Sequence, residues 1–413
     1  MRTNLIAAAV ALAVALLPSA ALAEKTRLTA VSGPVSGGWY LGVGLVAKAF
    51  TDANPNYEVT MLPGNSTSNV IQLQQKKADL SIGMHTMNMA AIKGTAPYKK
   101  AFPNIAAYAK QGGLAALSDY ADFAELSGNY LEAPLSTNLY QRKYYGLPLD
   151  TNCKAAVVNT NVLKSLGLDE VPATMEAFIE AAKARGTYSL NVSGVGDWDM
   201  YPYFWLFGGE LTDDGFTKAT GYLDSDKSIA AMEKIVALHN DKVLTIRDVD
   251  GSVDAWDGIN SEYAMFFEGP WYFGSYEDCT AKGIVAATIP TYEGRSASVV
   301  GGEDIAVFAT SKYPEAAYEF AKFMTSEEVQ LAMLEAGQLP ILKSLVDSEA
   351  VQNNPVWSVY MRQMESAKAR IPSPNNSAIQ EIWSEMVTGI FVDGADVAQS
   401  LHDAAAKIDE QLR

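Results

Sequence analysis

Histidine and cysteine are scarce. A chain of 413 residues carries three histidines and two cysteines. His85, His239 and His402 are scattered, two of them in polar helical contexts. No HExxH, CxxC, nucleophile elbow or Walker phosphate loop is present. The sequence therefore offers no metal centre, no catalytic residues and no cofactor site. Positive charge is also in deficit, 31 Lys and Arg against 48 Asp and Glu for a net charge of -17, and no basic cluster stands out. That balance argues against a nucleic-acid partner. The acidic residues are spread along the chain, as on a solvated surface. Long apolar runs are missing beyond the first residues, so nothing after Ala23 reads as a membrane span. The two cysteines, Cys153 and Cys279, lie far apart, and spacing leaves open whether they pair or stay as separate buried thiols.

The amino terminus reads as a secretory signal peptide. Arg2 supplies a positive start, Leu5 to Leu17 is an apolar stretch too short to span a bilayer, and Ala21-Leu-Ala23 is a small-x-small cleavage site. Cleavage after Ala23 would make Glu24 the first residue of a periplasmic protein. What remains is more than one compact core usually holds, so two domains are expected.

Three short β-like runs, Leu28 to Val31, Tyr57 to Met61 and Ala78 to Gly83, alternate with helical patterns at 41–50 and 69–76. That alternation predicts an α/β domain with a largely parallel sheet, whose ligands bind at the carboxyl ends of strands. The loops there hold Ser36, Trp39 and Tyr40 after the first strand, Ser66 and Thr67 after the second, and His85 after the third. The first, Ser32-Gly-Pro-Val-Ser-Gly-Gly-Trp-Tyr40, has neither the lysine of a phosphate loop nor the G-x-G-x-x-G spacing of a dinucleotide fold. It suits close approach of the backbone to some other ligand.

Further on, Thr174 is a plausible N-cap for a helix with Ala177, Phe178 and Ala181 on one stripe. Lys312 to Met324 reads as amphipathic, and the tail from Ser377 as helical with a break near Val392-Asp-Gly394. The region from Asp197 to Phe207, read as opening on a short loop, is rich in aromatic residues, and Trp256, Trp271 and Tyr272 follow. Large rings with carboxylates among them suit a sugar, whose flat apolar faces stack on rings while its hydroxyls donate to acids. Core packing competes with this reading, above all for Tyr203, Phe204 and Phe207. Asp197 and Asp199 stand too close in sequence to flank a scissile bond from two sides, which disfavours a glycosidase.

Several segments carry a family likeness. "YYGLPLDTNCKAAVVNTNVLKSLGL", "VPATMEAFIEAAKA", "SEYAMFFEGPW" and "GGEDIAVFATSKYPEAAYEFAKFMTSEEVQ" resemble the solute-binding proteins of sugar-type ABC transporters, over about Gly113 to the end. "SGGWYLGVGLVAKAF", "GNSTSNVIQLQQKKADLSIGMH" and "AAIKGTAPYKKAFPNIAAYA" are instead similar to the TAXI-type receptors of TRAP transporters, over Lys25 to about Tyr108. Both likenesses imply the two-lobed α/β type II periplasmic binding-protein fold with hinge strands, so the chain resembles a hybrid. The resemblance implies one lobe from 24–149 plus 290–325 and another from 150–289 plus 326–413. It implies a monomer that closes on a ligand and docks on a membrane permease. A sugar or polyol would meet Trp198, Asp199, Trp271, Tyr272, Gly302 and Glu303. Glutamate or a dicarboxylate would be held at the helix starts near Ser36, Ser66 and Thr67. Presentation of the ligand to a sensor protein is a third reading.

Overall fold

Two sheets, each fed by apolar runs from separate stretches of sequence, organise the molecule. The computed structural model describes residues 25–32, 38–64, 72, 77–81, 112–275, 279–335, 338–371, 373 and 375–412. The chain enters the first lobe through β1 (Thr26–Val31), α1 (Gly38–Ala53), β2 (Tyr57–Leu62), β3 (Leu80–Ser81) and β4 (Leu147–Pro148). It crosses to the second through β5 (Asn152–Cys153) and β6 (Ala155–Asn159). There it forms α2 (Thr160–Ser165), α3 (Met175–Arg185), β7 (Leu190–Val192), α4 (Asp197–Leu206), α5 (Asp226–Asn240), β8 (Leu244–Ile246), β9 (Met265–Glu268) and β10 (Ile284–Ala287). It returns through β11 (Ser298–Gly301) to β12 (Asp304–Val307), α6 (Pro314–Met324) and α7 (Glu327–Glu335). It finishes with α8 (Trp357–Met364), β13 (Ala367–Lys368), α9 (Asn376–Val392) and α10 (Val397–Leu412).

The first sheet has the order β2-β1-β3-β12-β4, with β1 parallel to β2 and β3. The late strand β12 runs antiparallel between β3 and β4, pairing Ala306 with Ser81 and Asp304 with Pro148. The second sheet has the order β8-β7-β9-β6-β10. Strand β6 is buried along its whole length. Its period-two alternation sends Ala156 and Val158 to the main core of the second lobe and Val157 to a smaller cluster around Tyr263 and Tyr272. A third, three-stranded sheet, β13-β11-β5, joins the lobes at the crossing.

Local signals set the helix ends, the Thr174 cap and the carboxyl-terminal break among them as expected. The Thr174 hydroxyl oxygen accepts from the Ala177 amide at 3.4 Å and starts α3, and Gly186 ends it at φ +72°. Asn159 accepts from the Asn161 and Val162 amides at 2.9 and 3.2 Å and starts α2. Pro314 opens α6 at a position where its missing N–H costs nothing. The carboxyl-terminal helix breaks between Val392 and Val397, around the expected Asp-Gly pair.

The cores run across the boundaries expected from the resemblance. Val329, Met333, Ile341, Leu342 and Leu345 pack with Leu28, Phe50, Ile305 and Phe320 in the first lobe, although residues beyond 325 were expected in the second. Ile289, Ala297 and Val299 pack into the second lobe, although the return was expected near 290. The reason is in the strands: the chain changes lobe at Gly302, between β11 and β12, and hydrophobic burial follows the strands. Cys153 and Cys279 are not joined in a disulfide. Each is buried, in a different cluster.

Candidate functional site beside the hinge

The crossing is two antiparallel strand connections bonded to each other. Gly301 pairs with Asn152, and the Leu149 amide donates to the Glu303 carbonyl at 2.8 Å. Gly302 holds φ +138° between them, a backbone conformation open to glycine. A Cβ there would lie 2.6 Å from the Asp150 carbonyl oxygen, so the two crossings touch at this residue. Beside it stands an acidic pair. The Glu303 amide donates to Asp150 Oδ1 at 2.6 Å, and the two carboxyl groups hydrogen-bond to each other; among the described residues no other donor meets Asp150 Oδ2 or Glu303 Oε2. Burial, and then each other's charge, push Asp150 well above the usual carboxylate range, and burial raises Glu303 as well. Asp304, next along, accepts from Asn138 at 2.6 Å and from Thr137. Burial nonetheless raises it to about 7.

Next to the crossing, α4 begins after Gly196 and carries Asp197, Trp198 and Asp199 in its first turn, where acids favour the helix dipole. These residues were read as a loop; they are helical, with Pro202 inside the same helix. The Trp198 ring is held on several sides. It stacks on Trp271 with centroids 5.8 Å apart and planes at 28°. Gly301 of β11 leaves room for it, since a Cβ there would stand 2.9 Å from the indole. Lys154 Nζ and the Arg370 guanidinium lie 5.5 and 5.6 Å from its centroid, within cation–π range.

The acids around the ring are matched by cations. Lys154, itself buried, donates to Asp199 Oδ1 at 2.5 Å. Asp197 accepts from the Trp198 amide at 2.8 Å and from Gln380 of α9, with Arg370 Nη1 3.6 Å away. Asp248, whose Oδ2 approaches the same side of Gly194 as Asp199 Oδ2, pairs with Arg247 at 3.0 Å, and Arg247 also reaches Asp254 at 2.7 Å. Glu268 is used internally. Trp256 Nε1 donates to one of its oxygens at 2.9 Å and the Gly269 amide to the other at 2.8 Å.

The expected site residues divide into groups. Trp198, Asp199 and Trp271 come together, with Gly302 and Glu303 at the adjoining crossing. Tyr272 does not line the site: it is fully buried edge-on against Trp256 and Phe266, because the turn that presents Trp271 points the next side chain inward. Tyr201, Tyr203, Phe204, Trp205 and Phe207 are core, Tyr203 stacking on Phe267 at 4.2 Å. Tyr40 is half-buried in the first turn of α1, and Trp39 belongs to the same turn. Ser36, Ser66, Thr67 and His85 lie outside the described residues. Lys154, Arg370, Asp248 and Gln380 went unnoticed in the sequence. Only Lys154 carried a signal, as a lone cation in the apolar run from Cys153 to Val158.

Residues 46–357 match the family model described as bacterial extracellular solute-binding protein. The chain belongs to this family. It is a family of extracellular binding proteins rather than of enzymes. Among curated relatives, the diacetylchitobiose binding protein DasA of Streptomyces coelicolor is 28% identical over 265 residues, 60% of this chain and 59% of the relative. The maltotriose-binding protein of Pyrococcus abyssi is 23% identical over 251 residues, 58% of this chain and 53% of the relative. The chain thus spans just over half the length of these relatives.

Solved structures share the fold. The cyclic alpha-maltosyl-1,6-maltose binding protein of Arthrobacter globiformis aligns with TM-score 0.78 at 17% identity, over 94% of this chain and 99% of that one. The sugar-binding protein MalE of Xanthomonas citri aligns with TM-score 0.77 at 16% identity, over 94% and 97%. The two-lobed periplasmic binding-protein fold is therefore that of this solute-binding protein. The expected TAXI-type segment finds no support in these comparisons. The family match begins inside it, at residue 46, and runs on past residue 108.

Proposed function

We propose that this protein is an extracytoplasmic receptor for a neutral sugar or polyol, which it delivers to an ABC transporter permease by closing its lobes. The observation that carries the reading is the Trp198–Trp271 indole pair set among acids beside the hinge. Indole faces suit the apolar faces of a pyranose, and Asp199 and Asp248 supply acceptors for hydroxyls. Charge supports neutrality in the ligand. Lys154, Arg247 and Arg370, the cations described around these rings, each face a carboxylate of the protein itself. A dicarboxylate would have to compete for cations already engaged. The relatives' names, diacetylchitobiose and maltotriose binding, are in keeping with a sugar.

The test is a thermal-shift screen of maltotriose, N,N′-diacetylchitobiose, monosaccharides and polyols against glutamate and C4 dicarboxylates. A ligand at a hundredfold its dissociation constant stabilises the native state by about 2.7 kcal/mol, a readily measured rise in Tm. The expected outcome is a rise with at least one neutral sugar or polyol and none with the acids. A rise with glutamate or a dicarboxylate alone would overturn the sugar assignment in favour of a carboxylate ligand.

A further inference from the structure

The crossing strands contribute side chains to the platform itself. Lys154 stands between β5, which pairs with β11 at the hinge, and β6, in the middle of the second sheet. Its backbone is fixed, its carbonyl accepting from the Ser298 hydroxyl of β11 at 2.5 Å. Its side chain is 2% exposed and spans from the hinge to the start of α4. There the ammonium does two things at once. It takes Asp199 Oδ1, leaving Oδ2, on a carboxylate 25% exposed, beside Gly194 and on the side that Asp248 Oδ2 also approaches. It also lies against the Trp198 ring, which Gly301 of β11 seats from the other crossing. An ammonium buried to this extent is stable only where a counter-charge meets it, and Asp199 is that partner.

We propose that Lys154 is the positioning residue of the binding site. Reaching in from the hinge strand, it fixes both the orientation of the Trp198 indole and the Asp199 oxygen presented to a ligand hydroxyl. The role rests on the cleft being the ligand site, so it is tested by a signal that needs no ligand.

Two indoles in contact give an exciton couplet in circular dichroism when their transition dipoles are skewed, with a size and sign set by their mutual orientation; the planes here are 28° apart, and the couplet is assigned as the band lost in Trp271→Phe. In Lys154→Met the couplet should fall by about half or more while the cooperative unfolding transition is retained, because the ring loses its support. Asp199→Asn keeps the side-chain shape and removes the counter-charge, and should weaken the same band. The two changes break one pair, so the double variant should lose no more of the band than the more affected single one. An unchanged couplet in a folded Lys154→Met protein would overturn the proposal, as would additive losses in the double variant. If Lys154→Met does not fold, an unchanged couplet in Asp199→Asn is equally decisive. Failure of every sugar in the ligand screen would leave these outcomes unaffected.

Discussion

At the residue scale, Trp198 and Trp271 divide one task. Trp198 is fixed by Gly301, Lys154 and Arg370, whereas Trp271 rests on Gly269, where a Cβ would come 2.2 Å from its ring. With the receptor's own sugar, Trp271→Ala and Trp198→Ala should each weaken binding about tenfold or more, measured by fluorescence titration. An unchanged affinity in Trp271→Ala would assign that ring to packing alone. Gly301→Ala tests the seat. Its new methyl would overlap Asn152 Oδ1 and the Trp198 ring, and overpacking of this kind costs about 1–3 kcal/mol, visible in urea unfolding. The sequence pointed to Trp198 because a large ring between Gly196-Asp197 and Asp199 has polar neighbours in the chain; in the structure it is partly buried, against the second-lobe core and Trp271. Tyr272 was misread because the Gly-Pro turn before it fixes one exposed position, not two. Arg370 and Gln380 left no local signal: they reach the site from the carboxyl-terminal segment, and only tertiary packing brings them there.

At the element scale, the crossing between β4–β5 and β11–β12 concentrates acids, Asp150 fully buried and Glu303 and Asp304 partly so. Asp150, Glu303 and Asp304 hold protons more tightly in the folded protein than in the unfolded chain. Below the unfolded values, about pH 4, both states are protonated and these groups leave stability unchanged with pH. Above that, the unfolded chain has released its protons and the folded one has not, so stability declines until the folded values are passed, near 7 for Asp304. Asp250 and Asp409, lowered by hydrogen bonds that outweigh their burial, act oppositely and lose stability only at the acid end. Urea midpoints should therefore peak in mildly acid buffer and fall toward neutrality. Asp150→Asn keeps the acceptor for the Glu303 amide and removes one charge. It should flatten the decline and add about 1 kcal/mol at about pH 8. A decline as steep as the wild type's would show that the acids are solvated. A crossing was expected here only through the family resemblance of the segment "YYGLPLDTNCKAAVVNTNVLKSLGL". The proximity of the acids was not, since they come from positions 150 and 303–304.

At the scale of the whole molecule, two lobes with separate cores meet through a narrow set of strands, and the candidate rings sit beside that junction. Closure about it should bring the lobes together on binding. Small-angle scattering should show a smaller radius of gyration with the sugar found in the screen, and a change in tryptophan fluorescence should saturate at the same concentration. Equal radii with and without that sugar would leave binding without closure. The α/β class was legible in the apolar runs of the first sheet, and the two lobes in the length of the chain and its family resemblance. The lobe boundaries were not, because α7 and the segment to Leu345 join the first core by shape, at positions where composition does not change.

The position of β12 bears on how the chain is made. In the first sheet β3 and β4 do not pair with each other; each pairs with β12, whose residues follow the entire second sheet in sequence. Helix α6, which sets Phe320 edge-on to Phe50 at 5.2 Å, comes later still. During synthesis the first sheet therefore keeps a gap between β3 and β4 until residues 304–307 have emerged, whereas the second sheet, from β6 to β10, is complete by residue 287; the cores wait for later residues still, to Leu345 in the first lobe and Ile408 in the second. The sheet translated first is the one that closes last, so the first lobe cannot complete its sheet until the whole second sheet has passed.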